Sequence, residues 1–171
     1  MLDAAFGPGR FAKISERLRE GRKPASGLAF VARCGGRLAG TLRLWPVVTA
    51  TGHVCLLLGP LAVEADARCL GIGAALMWQA LHKAKALGHR AVILVGDATY
   101  YSRFGFSAGK TGALRMPGPC ERERLLACEL VTDALTGARG LIAPRPSRLS
   151  RLVKRAAAMG PVIRQVVPAA R

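Results

Sequence analysis

The sequence predicts an α/β domain with one mixed β-sheet, and two observations lead to this fold class. Three strand-like runs follow one another between residues 27 and 63 with short turns between them, a spacing typical of an antiparallel meander. A helix-like stretch from Gly71 to Leu87 then leads into a short apolar strand. Strand, helix and strand in that order indicate a right-handed crossover between parallel strands. We therefore expect both kinds of pairing in one sheet.

Length and composition are those of one globular domain. The chain has 171 residues, of which 51% are hydrophobic, so it can form a core and general disorder is excluded. Its apolar runs are shorter than the roughly 18 residues that a membrane-spanning helix needs. The N-terminal residues lack the order of charged, apolar and small residues that marks a signal peptide. We expect a cytoplasmic protein.

The predicted elements before residue 64 are a helix and the three strands. Phe11, Ile14 and Leu18 recur at helical spacing within residues 10–20, and Gly21 ends that pattern. The strands are the runs "GLAFVARC", "RLAGTLRLWPVV" and "HVCLLLGPLAV". The third is apolar almost throughout, which predicts burial on both faces, and its Gly-Pro pair at 59–60 predicts a bulge or bend.

The second half of the domain continues with shorter elements. The helix from Gly71 to Leu87 has one apolar stripe and ends at Gly88. The strand "RAVILVGD" follows, then a short helix in "ATYYSRFGF" that we expect Asp97 to cap, and a last strand in "ERERLLACELV". We place the domain at 1–142.

Residues 143–171 are predicted to form a basic C-terminal extension. This segment contains six arginines, one lysine and no acid, and a helix is expected over 147–159. The formal net charge of the chain is +16, which raises the alternative of a nucleic-acid-associated protein. Few aromatics are available to stack on bases, so we regard nucleic acid as the weaker alternative. A basic surface also suits a smaller anionic ligand, and coenzyme A is one.

The cysteines and histidines do not indicate a metal site or a disulfide framework. The five cysteines form no C-x-x-C pair, and the three histidines are scattered along the chain. We predict no metal.

A glycine-containing loop, "RCLGIG" at 68–73, joins the third strand to the long helix. A dinucleotide-binding fingerprint would need a third glycine where Leu76 stands, and the lysine-containing phosphate loop is absent as well. What remains is a helix N-terminus with free N–H groups and little side-chain obstruction. Such a site favours a pyrophosphate.

Two motifs in this order resemble the GNAT superfamily of N-acetyltransferases over about residues 3–142. Its R/Q-x-x-G-x-G/A signature stands here as Arg68 to Gly73, and its tyrosine-containing segment stands as "YYSRFGF" at 100–106. The resemblance implies the GNAT fold, with a mixed central sheet flanked by helices and with parallel fourth and fifth strands that splay apart. Those strands are "HVCLLLGPLAV" and "RAVILVGD" here. The family's first strand is missing, since we expect no strand before Gly27.

The resemblance also implies acetyl-CoA as cosubstrate. Backbone groups of the fourth strand would bind the pantetheine arm, and the glycine loop would hold the pyrophosphate, with added charge from its arginine. The family often has a basic residue or Gln where this loop has leucine, so we expect backbone donors to contribute more of the binding. The cofactor-binding positions expected on this basis are Leu61, Ala62, Val63, Arg68, Cys69, Leu70, Gly71, Ile72, Gly73 and Ala74.

The catalytic residues implied by the resemblance are Tyr101 and Glu64. Tyr101 matches the family's tyrosine, and a phenol near the thioester sulfur is a suitable acid for a thiolate leaving group. The alternative is that Tyr100 and Tyr101 only pack the short helix on the sheet. Glu64 is the expected general base, with a solvated turn residue as its alternative. We expect acceptor specificity to come from the N-terminal helix and residues 110–123.

The predicted function is transfer of an acetyl group from acetyl-CoA to an amine on a small molecule or peptide. A non-catalytic acyl-CoA-binding regulatory module would need the same cleft without Tyr101 chemistry, and it stays open as an alternative. Homodimerisation is left open too.

Overall fold

The computed structural model describes Gly7 and residues 14–146, and a seven-stranded sheet forms the centre of this part of the chain. Its three α-helices are α1 (Ile14–Arg17), α2 (Ile72–Ala86) and α3 (Ala98–Tyr101). The strands are β1 (Ala29–Cys34), β2 (Arg37–Thr49), β3 (Val54–Val63), β4 (Ala91–Val95), β5 (Leu114–Arg115), β6 (Leu125–Glu129) and β7 (Gly140–Pro144).

The pairing of the strands confirms the mixed sheet. The order is β5-β7-β2-β3-β4-β6, with β1 beside β2. β1, β2 and β3 form the antiparallel meander, and β4 pairs with β6 in the antiparallel sense. β3 and β4 are parallel neighbours joined through α2, as the crossover argument predicts. The short helix also follows the prediction, because α3 continues into a 3-10 turn (Ser102–Phe104) that ends at Gly105.

The last strand, β7, is absent from the elements that the sequence predicted. Ala143 and Pro144 pair with Val48 and Val47 of β2, so the sheet continues two residues beyond the predicted boundary at 142. Only one β7 side chain, Ile142, is fully buried, and Gly140 and Pro144 stand at its ends. The sequence of β7 therefore lacks the apolar alternation that indicates a strand. It is a strand because it pairs with β2. The helix expected at 147–159 lies outside the described residues.

Residues 14–20, the described part of the predicted N-terminal helix, begin with a short helix. α1 covers Ile14–Arg17, and a turn follows to Gly21. Residues 14–26 contain no strand, in line with the expected start of the sheet after Gly27. The beginning of the predicted helix, at 10–13, lies outside the described residues. Across residues 14–146, no helix is both long enough and apolar enough to cross a membrane.

Two hydrophobic clusters cover the two faces of the sheet. On one face, α2 packs Met77 and Ala80 against strand residues such as Leu56. On the other, Leu57 and Trp45 pack with residues of β4, β6 and β7. Adjacent residues of β3 therefore point into different clusters, which explains the continuous apolar run in the sequence.

Gly40 of β2 allows α2 to approach the sheet. A Cβ at this position would lie 2.9 Å from Ile72 Cγ2 and 3.0 Å from Leu76 Cδ1, both on α2. The same atom would lie 3.3 Å from the carbonyl oxygen of Ala62. Since α2 begins at Ile72, the close contact at Gly40 also fixes where the helix N-terminus lies beside β3.

We expect Gly40→Val to lower the free energy of unfolding by about 1–3 kcal/mol, because the added methyls overpack the interface with α2. Gly112→Ala is the matched control, since no atom lies within 4 Å of a Cβ there and its φ is −45°. Its effect should stay within about 0.5 kcal/mol. Chemical denaturation measures both, and equal effects of the two substitutions would contradict the packing argument.

Candidate active site

β3 and β4 separate after a short paired segment. They are in register only at Leu56 with Val92 and at Leu57 with Ile93. Beyond this point β3 continues along β2 to Val63, whereas β4 continues along β6 to Val95. The expected splay between the two parallel strands is confirmed.

The end of β3 presents backbone donors to this gap. Glu64 N donates to Ala39 O in β2. Because alternate residues of an antiparallel strand bond to the same neighbour, the N–H groups of Leu61 and Val63 face the opposite side, where β4 has diverged. The side chain of Ala62 is buried. The gap is therefore lined by backbone groups of Leu61 and Val63, whereas the backbone of Ala62 faces β2.

A β-bulge begins the open segment. Leu42 pairs with Leu61 and Leu44 with Leu58, so Gly59 and Pro60 together stand opposite one residue of β2. Gly59 has φ +124°, which side chains of L-residues rarely permit, and the peptide bond to Pro60 is cis. Trp45 Nε1 donates to Gly59 O at 2.6 Å and holds the bulge from β2. The predicted bulge is confirmed.

The gap opens into a cavity of about 770 Å³. Its walls come from the end of α1, the bulge of β3, the end of β4, α3 and the segment before β6. These include the two regions from which acceptor specificity was expected. The lining residues are Ser15, Glu16, Arg17, Arg19, Leu58, Gly59, Pro60, Leu61, Leu94, Val95, Gly96, Asp97, Tyr101, Met116, Pro119, Cys120, Glu121 and Arg124.

The glycine loop leads into an uncapped helix. Cys69 and Gly71 have left-handed backbone conformations with φ of 67° and 73°, and no side chain caps the N-terminus of α2. The first helical bond of α2 joins Ala75 N to Gly71 O, so the N–H groups of residues 72–74 precede the helical ladder. The first turn contains no acidic residue. These donors and the helix dipole form a site suited to an anion.

The side chains around the loop divide into exposed and packed ones. Arg68 and Leu70 are exposed, Leu70 to 64%. Gly73 faces inward, and a Cβ on it would lie 2.9 Å from Tyr100 Oη and 3.6 Å from Val63 Cγ2. Gly73 therefore brings the loop close to both the end of β3 and α3. Tyr100 in turn lies under the Arg103 guanidinium, whose Cζ is 4.8 Å from the ring centroid.

Tyr101 is half-buried and lines the cavity. Its ring covers Gly96, where a Cβ would collide with Tyr101 Cε2, so only glycine fits at the end of β4. Burial raises the pKa of Tyr101 to about 12, with smaller contributions from Tyr100 and Asp97. Within residues 14–146 its hydroxyl has no hydrogen-bond partner. The phenol is therefore neutral and free to donate into the cavity.

The predicted base, Glu64, does not line the cavity. It follows β3 directly and precedes a 3-10 turn (Ala65–Ala67), for which its side chain makes no capping hydrogen bond. The carboxylates on the cavity wall are Glu16, Asp97 and Glu121. Asp97 Oδ1 accepts a hydrogen bond of 3.0 Å from Thr99 N, which confirms its predicted capping role. Nothing in the sequence distinguishes Glu16 and Glu121 from ordinary charged surface residues.

The described residues contain no group of three or more histidines, cysteines, aspartates or glutamates placed to hold a metal ion. All five cysteines are free thiols. The cavity lining offers backbone groups, the phenol of Tyr101, the thiol of Cys120 and charged side chains.

Both the sequence and the fold are similar to those of known proteins. A model of the acetyltransferase (GNAT) family matches residues 3–106. The uncharacterised N-acetyltransferase YhbS of Escherichia coli K12 is 34% identical over 85 residues, which are 50% of this chain and 51% of YhbS. The N-acetyltransferase YjhQ of the same strain is 31% identical over 114 residues, covering 63% and 62%. The chain thus spans about half to three-fifths of these curated relatives.

Two solved structures extend the similarity. The E. coli YhbS structure, in complex with CoA, has a TM-score of 0.68 and 29% identity, and the match covers 84% of this chain and 80% of that one. A GNAT acetyltransferase from Brucella melitensis, in complex with acetyl-CoA, has a TM-score of 0.51 and 27% identity, with coverage of 74% and 80%. The family match includes the glycine loop and the tyrosine segment and extends over more than half of the sequence. The chain belongs to the GNAT acetyltransferase family.

Proposed function

We propose that this protein is an acetyl-CoA-dependent N-acetyltransferase. The observation that supports this most is the splay of β3 and β4, which leaves the N–H groups of Leu61 and Val63 facing the gap, and Leu61 and Tyr101 line the cavity into which this gap opens. The uncapped N-terminus of α2 lies beside the same strand end, as the close approach of Gly73 and Val63 indicates. YhbS and the Brucella protein were crystallised with CoA and acetyl-CoA, respectively.

The residues present fit the cosubstrate. The free N–H groups at Ile72, Gly73 and Ala74 suit a pyrophosphate, and the exposed Arg68 adds positive charge beside them. With leucine at position 70, these backbone donors have to supply most of the phosphate binding. The pantetheine arm would then run along the open edge of β3.

In the proposed reaction an amine attacks the carbonyl carbon of the thioester. A C–N bond forms, and the C–S bond breaks in the collapse of the tetrahedral intermediate. Backbone N–H groups at the end of β3 stabilise the negative charge on the carbonyl oxygen. The nitrogen loses one proton to a base, and the leaving thiolate gains one to give free CoA. Glu64 stays the proposed base and would act through water, since it lies outside the cavity lining.

The raised pKa of Tyr101 defines what this phenol contributes. The ordinary pKa of a thiol is about 8.5, whereas the pKa of the Tyr101 phenol is about 12. Complete proton transfer from this phenol to the thiolate is therefore unfavourable. Hydrogen-bond donation to the sulfur has no such cost, and the phenol stays neutral at physiological pH. We therefore assign Tyr101 to stabilising the departing thiolate, with the final proton coming from solvent.

The acceptor is proposed to be an amine on a small molecule or a peptide. We propose the cytoplasm as the compartment, because five unpaired cysteines, of which Cys55 and Cys128 are buried, are typical of a reducing environment. A homodimer stays a prediction.

We expect Tyr101→Phe to lower kcat by about 10²- to 10⁴-fold, because the hydrogen bond to the leaving sulfur is lost. The KM for acetyl-CoA should change little, since the ring still packs on Gly96. A screen of amine acceptors, monitored by release of free CoA, measures both constants on the best acceptor found.

Tyr100→Phe is the comparison for this variant. Its hydroxyl lies over Gly73 in the glycine loop, so it should alter the KM for acetyl-CoA and retain kcat. Full kcat in Tyr101→Phe would remove the catalytic assignment. Absence of acetyl-CoA binding by calorimetry at high micromolar ligand would overturn the proposed function itself.

The protonation of Tyr101 can be tested without a substrate. One tyrosine should ionise with a pKa of about 12 when tyrosinate absorbance is followed, and this step should be absent in Tyr101→Phe. Because the pKa of Tyr101 in the folded state lies above its ordinary value, the neutral phenol contributes to the free energy of unfolding. This contribution is complete below about pH 10 and is lost as the pH rises to about 12. The free energy of unfolding should therefore fall more steeply in the wild type than in Tyr101→Phe over that window. Parallel curves would contradict the burial argument.

A further inference from the structure

Arg19 is a charged side chain that the proposed reaction does not use, and it lines the cavity. It follows α1 and is only 8% exposed. Arginine is almost never buried to this extent unless its donors are paired. Each N–H donor of this guanidinium is therefore expected to have an acceptor.

Within residues 14–146, one edge of the Arg19 guanidinium is paired and the other is not. Nη1 donates to Glu16 Oε1 at 3.0 Å. Nε is fully enclosed and has no partner, and within residues 14–146 no acceptor binds Nη2. Burial lowers the pKa of Arg19 from its ordinary value, and Glu16 opposes this shift. The cation thus lacks the acceptors that would compensate for its loss of solvent.

A structural role in supporting the bulge does not explain the free edge. The guanidinium covers Gly59, where a Cβ would lie 3.2 Å from Nη2. The carbonyl of Gly59, however, already accepts a hydrogen bond from Trp45 Nε1. The bulge therefore has its own donor, and Arg19 is placed beside it with Nε and Nη2 unused.

Nε and Nη2 form the side-on edge of a guanidinium, which binds the two oxygens of a carboxylate in parallel. A carboxylate bound at this edge would supply the acceptors that both nitrogens lack among residues 14–146. Gly59 is two residues before Leu61, where the thioester is proposed to bind. An anion on Arg19 would thus lie close to the reacting carbonyl.

We propose that the acceptor is a small amine that carries a carboxylate, in the manner of an α-amino acid, and that Arg19 binds this carboxylate. This inference rests on the proposed acetyltransferase function. The cavity lining contains both signs of charge, and the carboxylates of Asp97 and Glu121 in the same lining would attract the ammonium group. Its volume of about 770 Å³ is that of a small-molecule site.

The test compares L-amino acids with their carboxamides as acceptors, using the full chain and release of free CoA. For the best amino acid, kcat/KM should exceed that of its carboxamide by about 10- to 100-fold. In Arg19→Met this preference should disappear through loss of activity on the acid, with the carboxamide rate kept within about threefold. Arg19→Lys keeps the charge without the side-on edge and should restore part of the preference for the acid. This second variant also keeps the inference testable if Arg19→Met fails to fold.

Arg22→Met is the matched control, because Arg22 is exposed, lies three residues further on and does not line the cavity. It should keep the wild-type preference. Equal rates on acids and carboxamides, or an unchanged preference in both Arg19 variants, would overturn the inference. If acetyl-CoA binds but only amines without a carboxylate are acetylated, the inference fails and the proposed function stands. Absence of acetyl-CoA binding would overturn both.

Discussion

The divergence of two parallel strands is the constraint on which the rest of the site depends. In a continuous sheet the N–H groups of Leu61 and Val63 would bond to β4 and would be unavailable to a ligand. The bulge at Gly59 and Pro60 interrupts the pairing with β2 at the same point, before it resumes at Leu61, and Trp45 holds the carbonyl of Gly59. Unpaired backbone donors inside a protein are costly, so a segment that keeps them needs support of this kind or a ligand.

Glycines let the surrounding elements approach this gap. Gly40 allows α2 to lie against β2, Gly73 brings the glycine loop to the end of β3, and Gly96 makes room for the Tyr101 ring. Each of them replaces a side chain that would hold two elements apart. The anion-binding helix end, the strand edge and the phenol are therefore brought together by contacts in which a single Cβ would collide with a neighbour.

The sequence was sufficient to predict the parts of the fold that have local patterns. The meander, the long helix, the bulge and the cap at Asp97 all follow from spacing and turn chemistry within short segments. β7 was missed because its partner in β2 is about ninety residues away and its own pattern is weak. Arg19 was missed for a related reason, since in an amphipathic helix pattern it is one more solvated charge. The structure shows instead that it is buried and lines the cavity.

Amide hydrogen exchange of the full chain with and without CoA tests the central claim most directly. If the open edge of β3 and the N-terminus of α2 bind the cosubstrate, CoA should slow exchange at Leu61, Val63 and residues 72–74. The amides of β6, which already pair with β4, should change little. Unchanged exchange at both segments in a CoA-saturated sample, or protection confined to other parts of the chain, would contradict the account.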